Sequence, residues 1–423
     1  MEWLLERACL EQLGEKIGNA RIVALGEGVH GSSEPLRFRN ALIRFLVEEK
    51  GFTDIAFESG LVEGRLVHDY VRGGAGDLQD ILREGLTWTF GDLEENAALI
   101  AWLRACNQRR GRRDSVRFYG FDVPGSPGEP RARRDVSTAL RTAILYLHAV
   151  DVSLARAFDR RLEHLLPQLK FGPWDTGERH DYCDLSAPER LELSHIVADL
   201  VSVLTQRAQV FVSATSRNEH EWALRAAVGA QQVDRWLRAI PVQWRPQTKG
   251  LALGDPEADC LLTSCEIRDA AMADNVEWIL DRGAGGKLLV FAANYHICGS
   301  AVRPGWGPQH TRHPMGTYLR QRHGQRLIII GNLIGDGAYR DGTDIITLAP
   351  GRKETFEAWA GARAGAESII DLREMPWAAR EAQLERASFR VSDDCWGCPE
   401  EGWPFDILVY MNHVSPAPRV ACG

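Results

Sequence analysis

"RIVALGEGVHGSSEPLRFRN", residues 21–40, joins a short apolar run to a helical pattern through a glycine-rich turn. Residues 22–25 are continuously apolar, which is typical of a strand that is covered on both faces. After the turn, apolar residues recur along one face of a helix over residues 36–46. The segment therefore predicts a strand followed by a helix, with Glu27 and His30 at the point where the strand ends.

Similar apolar runs recur along the chain, and most of them are followed by a helical pattern. Strands that alternate with helices predict an α/β fold with a largely parallel central sheet flanked by helices. The runs that we assign to strands are Ile22–Leu25, Ile55–Phe57, Val116–Phe121, Leu288–Ala292, Leu327–Ile330 and Ile407–Tyr410.

The pattern changes between residues 131 and 247, where helical stretches follow one another with no strand between them. We predict three parts: residues 1–130 form the first part of the α/β core, residues 131–247 a helical insertion or subdomain, and residues 248–423 the second part of the core. Such an insertion commonly roofs part of a pocket, and an ordinary packing role is the alternative.

The composition is that of a globular protein with a small-molecule partner. The chain has 423 residues, 44% of them hydrophobic, and a net charge of −8 with scattered Lys and Arg. This distribution of charge does not predict a basic patch that would bind nucleic acid or an anionic membrane. The chain starts as an acidic amphipathic helix, and no window approaches 18 uncharged apolar residues. We therefore expect a cytoplasmic protein.

The nine cysteines have no regular spacing, which argues against a secreted disulfide framework. Cys395 and Cys398 form a C-x-x-C pair, but a structural zinc site needs two further ligands. Cys260 and Cys265 do not supply a matching half, because four residues separate them. We expect unpaired thiols, and the sequence predicts no cofactor.

Polar residues end four of the predicted strands. Ligands of open parallel sheets bind outside the carboxyl ends of the strands, so these side chains should meet at one edge. Each of them alone could also cap a turn or serve as a core residue. We predict that Glu27, His30, Glu58 and His296 converge in a cleft roofed in part by residues 131–247. The residues that end the four strands are Glu27 with His30, Glu58, Asp122, and Asn294 with His296.

The motif "ALGEGVHGSSEPLRFR", with G-E-x-x-H-G and an Arg nine residues after the His, resembles the opening of the erythromycin esterase family, which includes succinoglycan biosynthesis protein-like members. Further matches extend from residue 20 to residue 415. In chain order they are "GFTDIAFES", "LTWTF" with "LIAWLRACN", "VRFYGFD", "EIRDAAMADNVEWIL", "ANYHICG", "MGTYL" and "FDILVYMNHVSPAP".

The resemblance implies a hydrolase that opens a macrolide lactone without a metal. His30 would be the general base toward water, and Glu27 would orient the imidazole or the water. Arg39 would stabilise negative charge on oxygen, and Glu58 and His296 complete the candidates for catalysis. A neutral imidazole with a pKa near its ordinary value of about 6.5 suits proton transfer at neutral pH.

The resemblance also suggests residues that face the substrate. Arg268 and Asp269 lie on one predicted helix, which either faces the pocket or packs Met272 into the core while its charged residues pair with neighbours. The candidates for substrate binding are Asp122, Asn294, Tyr295, Arg268, Asp269 and Trp88.

One residue departs from the family pattern, in which the fourth strand ends H-N-x-H. Here Ala293 replaces the first His, and His296 is retained. Either a neighbour such as Tyr295 takes over and the protein hydrolyses a different ester, or the site performs a cyclisation, elimination or transesterification on a natural product. Less favoured alternatives are a metal site formed by the strand-end residues and a ligand-binding protein without catalysis.

Overall fold

The computed structural model describes residues 2–110, 115–123, 136–165, 185–239, 256–283, 285–304, 311–349, 351–364, 367–375, 387–392, 395–400 and 402–420. The strands are β1 (Ile22–Glu27), β2 (Phe52–Gly60), β3 (Arg117–Asp122), β4 (Lys287–Ala293), β5 (Val302–Pro304), β6 (Leu327–Asp341), β7 (Asp344–Thr347), β8 (Glu367–Asp371), β9 (Phe389–Ser392), β10 (Cys395–Pro399) and β11 (Ile407–Val414).

The central sheet has the strand order β3-β2-β4-β1-β6-β11-β8. The strands from β3 to β11 in this order pair in parallel, whereas β8 pairs antiparallel with β11, and β7 pairs antiparallel with the end of β6. A small second sheet has the order β5-β10-β9. The predicted α/β fold with a largely parallel sheet is confirmed.

The central sheet is buried on both faces, as the continuous apolar runs in the sequence predicted. Along β1, Ile22 and Ala24 belong to one buried hydrophobic cluster, and Val23 and Leu25 belong to the other. Successive side chains of a strand point to opposite faces, so a continuous apolar run supplies two cores at once.

Helices cover both faces of the sheet. They are α1 (Glu2–Leu5), α2 (Arg7–Ile17), α3 (Ser33–Glu49), α4 (Gly64–Val71), α5 (Leu78–Gly85), α6 (Glu94–Arg109), α7 (Val136–Val150), α8 (Val152–Leu162), α9 (Ala187–Gln206), α10 (Ala208–Ala214), α11 (Arg217–Arg238), α12 (Pro256–Arg282), α13 (Asn294–Ile297), α14 (Met315–His323) and α15 (Phe356–Ala364). Single 3-10 turns occupy Phe90–Asp92, Gly324–Arg326 and Leu372–Glu374.

The predicted helical insertion corresponds to α7 to α11, and the described residues between 136 and 239 contain helices without a strand. The boundaries at 130 and 247 fall on residues outside the described set and stay a prediction.

Within the described residues, no single helix is long and apolar enough to cross a membrane. The helices α9 and α10 together would be long and apolar enough to do so, but the chain bends by 72° between them.

The cysteine predictions are only partly covered by the described residues. Cys265 and Cys398 are both half-buried, and Cys398 is a free thiol. The side chains of Cys260 and Cys395 lie outside the described set, so the C-x-x-C pair stays a prediction.

Candidate active site

The carboxyl ends of β1 and β4 lie side by side, with Glu27 in register with Ala293. The backbone N–H of Asn332 donates to the Asn294 side-chain oxygen over 3.0 Å, and the Asn294 amide donates back to the Asn332 carbonyl over 2.6 Å. Gly26 lies beneath this amide, and a Cβ there would collide with it. The Asn294 side chain is fully buried and ties β4 to β6 across β1. It therefore holds the strand ends together, and its binding of substrate stays a prediction that this burial does not support.

His30 and Glu27 form the first imidazole–carboxylate pair of the site. His30 Nδ1 donates to Glu27 Oε1 over 2.5 Å, and Glu27 is buried. The His30 side chain is 39% exposed, and its Nε2 lies 3.9 Å from Glu58 Oε2. The bond from Nδ1 fixes the tautomer of the neutral ring, so Nε2 is free to accept a proton.

His296 and Asp269 form a second pair of the same kind. His296 Nδ1 donates to Asp269 Oδ1 over 2.8 Å, and the same oxygen accepts the backbone N–H of Met315 over 2.8 Å. The His296 Nε2 lies 3.3 Å from Glu58 Oε1. The two Nε2 atoms thus approach one carboxylate from two sides, and the predicted convergence of the four strand-end residues is what the structure shows.

Arg268 of α12 joins the carboxylates of the site into one network. Its Nε and Nη2 donate to the two oxygens of Asp122 over 3.0 and 2.8 Å, and Nη2 also donates to Glu58 Oε1 over 2.8 Å. Its Nη1 lies 3.1 Å from His296 Nε2. Buried carboxylates on three sides raise the pKa of Arg268 although burial opposes the charge. Asp269 orients His296, and the predicted contact of Asp269 with substrate stays a prediction.

The pKa values of His30 and Glu58 move in opposite directions. Burial lowers the pKa of His30, but the negative charges of Glu27 and Glu58 and the hydrogen bond to Glu27 outweigh burial and raise it to about 9. Burial raises the pKa of Glu58, but His296, His30 and Arg268 outweigh burial and lower it. An ionised Glu58 therefore faces a His30 ring that readily holds a proton.

Arg39 does not reach the surface of the site. Its guanidinium lies between the rings of Phe57 and Phe291, 4.6 Å from each ring centroid, and the residue is 1% exposed. It donates to the side-chain oxygens of Asn40 and Asn96 over 2.6 to 3.0 Å. Burial lowers the pKa of Arg39 to about 10. The prediction that Arg39 contacts a substrate oxygen does not fit this burial.

Tyr295 is also placed behind the site. It is 7% exposed, and its ring packs against the edge of His296 with 5.2 Å between the centroids. Its hydroxyl bonds to Arg312, and burial raises the pKa of Tyr295 well above its ordinary value. A role of Tyr295 in place of the missing family imidazole therefore requires a movement that the structure does not show.

A cleft with a volume of about 150 Å³ opens beside His30. Its walls come from residues 88–93 on one side and from residues 340–342, at the turn between β6 and β7, on the other. The described residues that border this cleft include the β6–β7 turn and none of the helices α7 to α11, and the expectation that residues 131–247 roof the site in part stays a prediction. This wall could not be predicted, since the apolar run that marks β6 ends well before residue 340.

Trp88 forms part of the cleft wall in a strained backbone conformation. Trp88 and Thr89 have φ values of +63° and +60°, which side chains other than glycine adopt rarely. The Trp88 Nε1–H donates to Asp122 Oδ2 over 3.4 Å, and the Arg268 guanidinium lies 5.3 Å from the Trp88 ring centroid. The indole is thereby held at the cleft, and its contact with substrate stays a prediction.

Metal binding was one interpretation of the strand-end residues. Among the described side chains, no group of three or more His, Cys, Asp and Glu residues is arranged to hold a metal ion. The Arg268 guanidinium occupies the space between Glu58, Asp122 and His296 and donates to their polar atoms.

Comparison with known proteins identifies the family. A family model described as Erythromycin esterase matches residues 47–394, which is most of the chain. The chain belongs to the erythromycin esterase family. The matched residues begin after Glu27 and His30, so the assignment does not depend on the motif that first indicated it.

Curated members of the erythromycin esterase family are distant relatives of this chain. It is 25% identical to erythromycin esterase type II of Escherichia coli over 294 residues, which are 66% of this chain and 61% of that protein. It is 24% identical to erythromycin esterase type I of Escherichia coli over 327 residues, or 76% of this chain and 72% of that protein. The alignment thus spans less than two thirds of the type II enzyme.

Solved structures share the fold over nearly the whole chain. A Bacillus cereus protein has a TM-score of 0.74 at 21% identity, with 98% of this chain and 93% of that chain covered. A succinoglycan biosynthesis protein has a TM-score of 0.71 at 20% identity, with 97% and 92% covered. A mutant of erythromycin esterase EreC in its open conformation has a TM-score of 0.71 at 18% identity, with 99% and 98% covered.

Proposed function

We propose that this protein hydrolyses an ester or lactone bond of a small natural product, with His30 as the general base. Membership in the erythromycin esterase family supports an esterase-like hydrolase. The observation that carries the proposal is the Glu27–His30 pair: Nδ1 is held at 2.5 Å by a buried carboxylate, while the ring borders an open cleft. Such a ring has one defined nitrogen available for proton transfer.

The proposed reaction consumes one water. Neutral His30 takes a proton from water through Nε2 as the water oxygen forms a bond to the carbonyl carbon. The intermediate then collapses, the acyl carbon–oxygen bond breaks, and the proton on His30 passes to the leaving alkoxide. The products are an acid and an alcohol, and Glu27 offsets the positive charge that His30 carries between the two steps.

The experiment follows the mass of the product. A panel of macrolide lactones and simple esters is incubated with the wild-type protein in normal water and in ¹⁸O-labelled water. Hydrolysis adds one water to the substrate and places the labelled oxygen in the acid. His30→Asn should lose this activity, whereas His164→Asn should keep it, because His164 forms an exposed pair with Glu192 in the helical segment. Turnover at the wild-type rate in His30→Asn would exclude His30 as the base.

Ala293 favours a second candidate, a non-hydrolytic step on a biosynthetic intermediate. Its backbone N–H donates to Glu58 Oε2 over 2.9 Å, and its methyl group stands where the family pattern has an imidazole. Elimination would remove one water from the substrate, and cyclisation would leave the mass unchanged without labelled oxygen. The variant Ala293→His should increase ester hydrolysis if the replaced imidazole assists that reaction.

A further inference from the structure

Three arginines lie near the site, but they differ in what their guanidinium groups can still bind. Arg39 is buried between two phenylalanine rings, and Arg268 already donates to Asp122 and Glu58 and contacts His296. Ester hydrolysis develops negative charge on the carbonyl oxygen, and an accessible hydrogen-bond donor, such as an unoccupied guanidinium nitrogen, can stabilise it. Neither of these two arginines meets that requirement in the structure.

Arg340 meets the requirement, because it borders the same cleft as His30. It lies at the end of β6 and is half-buried. Its Nε donates to the Ala417 carbonyl over 2.6 Å. Its two Nη groups form no hydrogen bond or ion pair with a residue of the described set. The stem of the side chain is therefore anchored while its terminal donors are available.

The backbone around Arg340 holds it against the loop that carries His30. The Arg340 N–H donates to the Gly31 carbonyl over 3.0 Å, and the Ala417 N–H donates to the same carbonyl over 2.8 Å. Gly31 has a φ of +78°, and a Cβ there would collide with the Arg340 backbone. The next residue, Pro418, accepts the N–H of Glu94, which follows the opposite wall of the cleft. Arg340 is thus fixed relative to both His30 and the walls.

We propose that Arg340 binds the carbonyl oxygen of the substrate and stabilises the negative charge that develops there. This inference rests on the proposed hydrolysis and adds to it the group that receives the oxyanion. A guanidinium presents several donors in a planar fork, and hydrogen bonds from a charged donor to an oxyanion are stronger than neutral ones. His30 and Arg340 line the same cleft of about 150 Å³, so the carbonyl of an ester held beside His30 lies close to the Arg340 side chain.

Arg340→Gln is the decisive variant. The amide nitrogen of Gln occupies the position of the arginine Nε, so the anchor to Ala417 can be retained while the Nη groups are removed. The backbone bond to Gly31 does not depend on the side chain. We expect kcat to fall by about 10²-fold, as for loss of one oxyanion donor, with KM changed by a few fold. Arg340→Lys should recover little, because it loses the fork. Arg37→Gln, an exposed arginine of α3, is the matched control and should match the wild type.

Binding of phenylphosphonate tests the inference independently of turnover. This tetrahedral oxyanion carries a ring that can contact Trp88, and calorimetry measures its Kd for the wild type, Arg340→Gln and Arg37→Gln. We expect affinity to fall at least tenfold in Arg340→Gln alone. That result without hydrolysis of any ester would support the inference and contradict the proposed function. Equal affinity in the wild type and Arg340→Gln, or no binding to the wild type, would overturn the inference even if hydrolysis is found.

Discussion

Two histidines of this site have the same carboxylate arrangement but different access to solvent. His30 donates Nδ1–H to Glu27 and is 39% exposed on the cleft side, whereas His296 donates Nδ1–H to Asp269 and is 9% exposed. In the neutral ring, Nε2 of His296 accepts from Arg268, whereas Nε2 of His30 forms no hydrogen bond with a residue that the structure describes, and the His30 residue lines the cleft. An imidazole–carboxylate pair alone therefore does not define a base, because the remaining nitrogen must also be unoccupied.

Glu58 lies between the two rings and connects their electrostatics. Its carboxylate is 3.3 Å from His296 Nε2 and 3.9 Å from His30 Nε2. It is also bound by Arg268 and by the backbone N–H of Ala293. Glu58 thus contacts the His296 ring directly and acts on the His30 ring through charge. We call His30 with Glu27 the open pair and His296 with Asp269 the closed pair. The variants below test this division between a reactive pair and a structural pair.

The largest expected effect comes from exchanging each imidazole for an amide. His30→Asn should lower kcat by about 10²- to 10⁴-fold, the typical contribution of a positioned base, with little change in thermal stability above about pH 9, where His30 no longer holds its extra proton. His296→Asn should lower the melting temperature, because it disturbs the buried Asp269 and Arg268. Steady-state kinetics and thermal unfolding of both variants test the comparison. Equal melting temperatures for the two variants would contradict the structural role of His296.

Arg268→Met removes the guanidinium that contacts Nε2 of His296 in the closed pair. Glu58 and Asp122 would then remain buried without their partner, and breaking a buried ion pair in this way costs about 3–5 kcal/mol of unfolding free energy. Chemical denaturation measures the change. Adding Asp122→Asn to Arg268→Met should restore part of the loss, because one unpaired charge is removed. An unchanged denaturation midpoint in Arg268→Met would show that the network does not stabilise the fold.

Glu27→Gln changes the open pair without changing its shape. Because Glu27 raises the pKa of His30, the acidic limb of the kcat/KM profile should lie near pH 9 in the wild type and move to lower pH in the variant. The maximal rate should also fall, since the imidazolium loses its counter-charge. A pH–rate profile of both proteins measures the two effects. Asp269→Asn is the matched change in the closed pair and should leave the position of the limb less affected.

The smallest effect is the contribution of His30 to stability. Its pKa is about 9 in the folded protein and about 6.5 in an unfolded chain. The folded state therefore holds this proton more tightly, and the stabilisation is complete below about pH 6.5 and lost as the pH rises through about 9. The difference in unfolding free energy between the wild type and His30→Asn should shrink over that range. A constant difference would show that the pKa of His30 is not raised.

The strands and their shared edge were predictable because local patterns determine them. Continuous apolar runs marked β1, β2, β3, β4, β6 and β11, and the rule for parallel sheets placed Glu58 and His296 beside His30. The burial of Arg39 could also have been predicted from the sequence. It lies three residues after Leu36 and three before Leu42, on the apolar face of α3.

The partners of Arg268 and Arg340 could not be predicted in the same way. Arg268 meets Asp122 across 146 residues of chain, and Arg340 meets Ala417 across 77. Periodicity describes the surroundings of a residue along its own helix or strand, but it contains no information about which distant segment packs against it. The wall formed by residues 340–342 depends on how far β6 continues beyond its apolar run, and no pattern in the sequence marks that point.

The position of β1 in the sheet has a consequence for synthesis of the protein. β1 pairs with β4 on one side and with β6 on the other, and both strands begin more than 260 residues later in the chain. While the ribosome is still producing the first half, both edges of β1 lack their partners, and pairings this distant in sequence form slowly. We expect ribosome-bound chains that stop before residue 287 to be sensitive to proteases and to recruit chaperones.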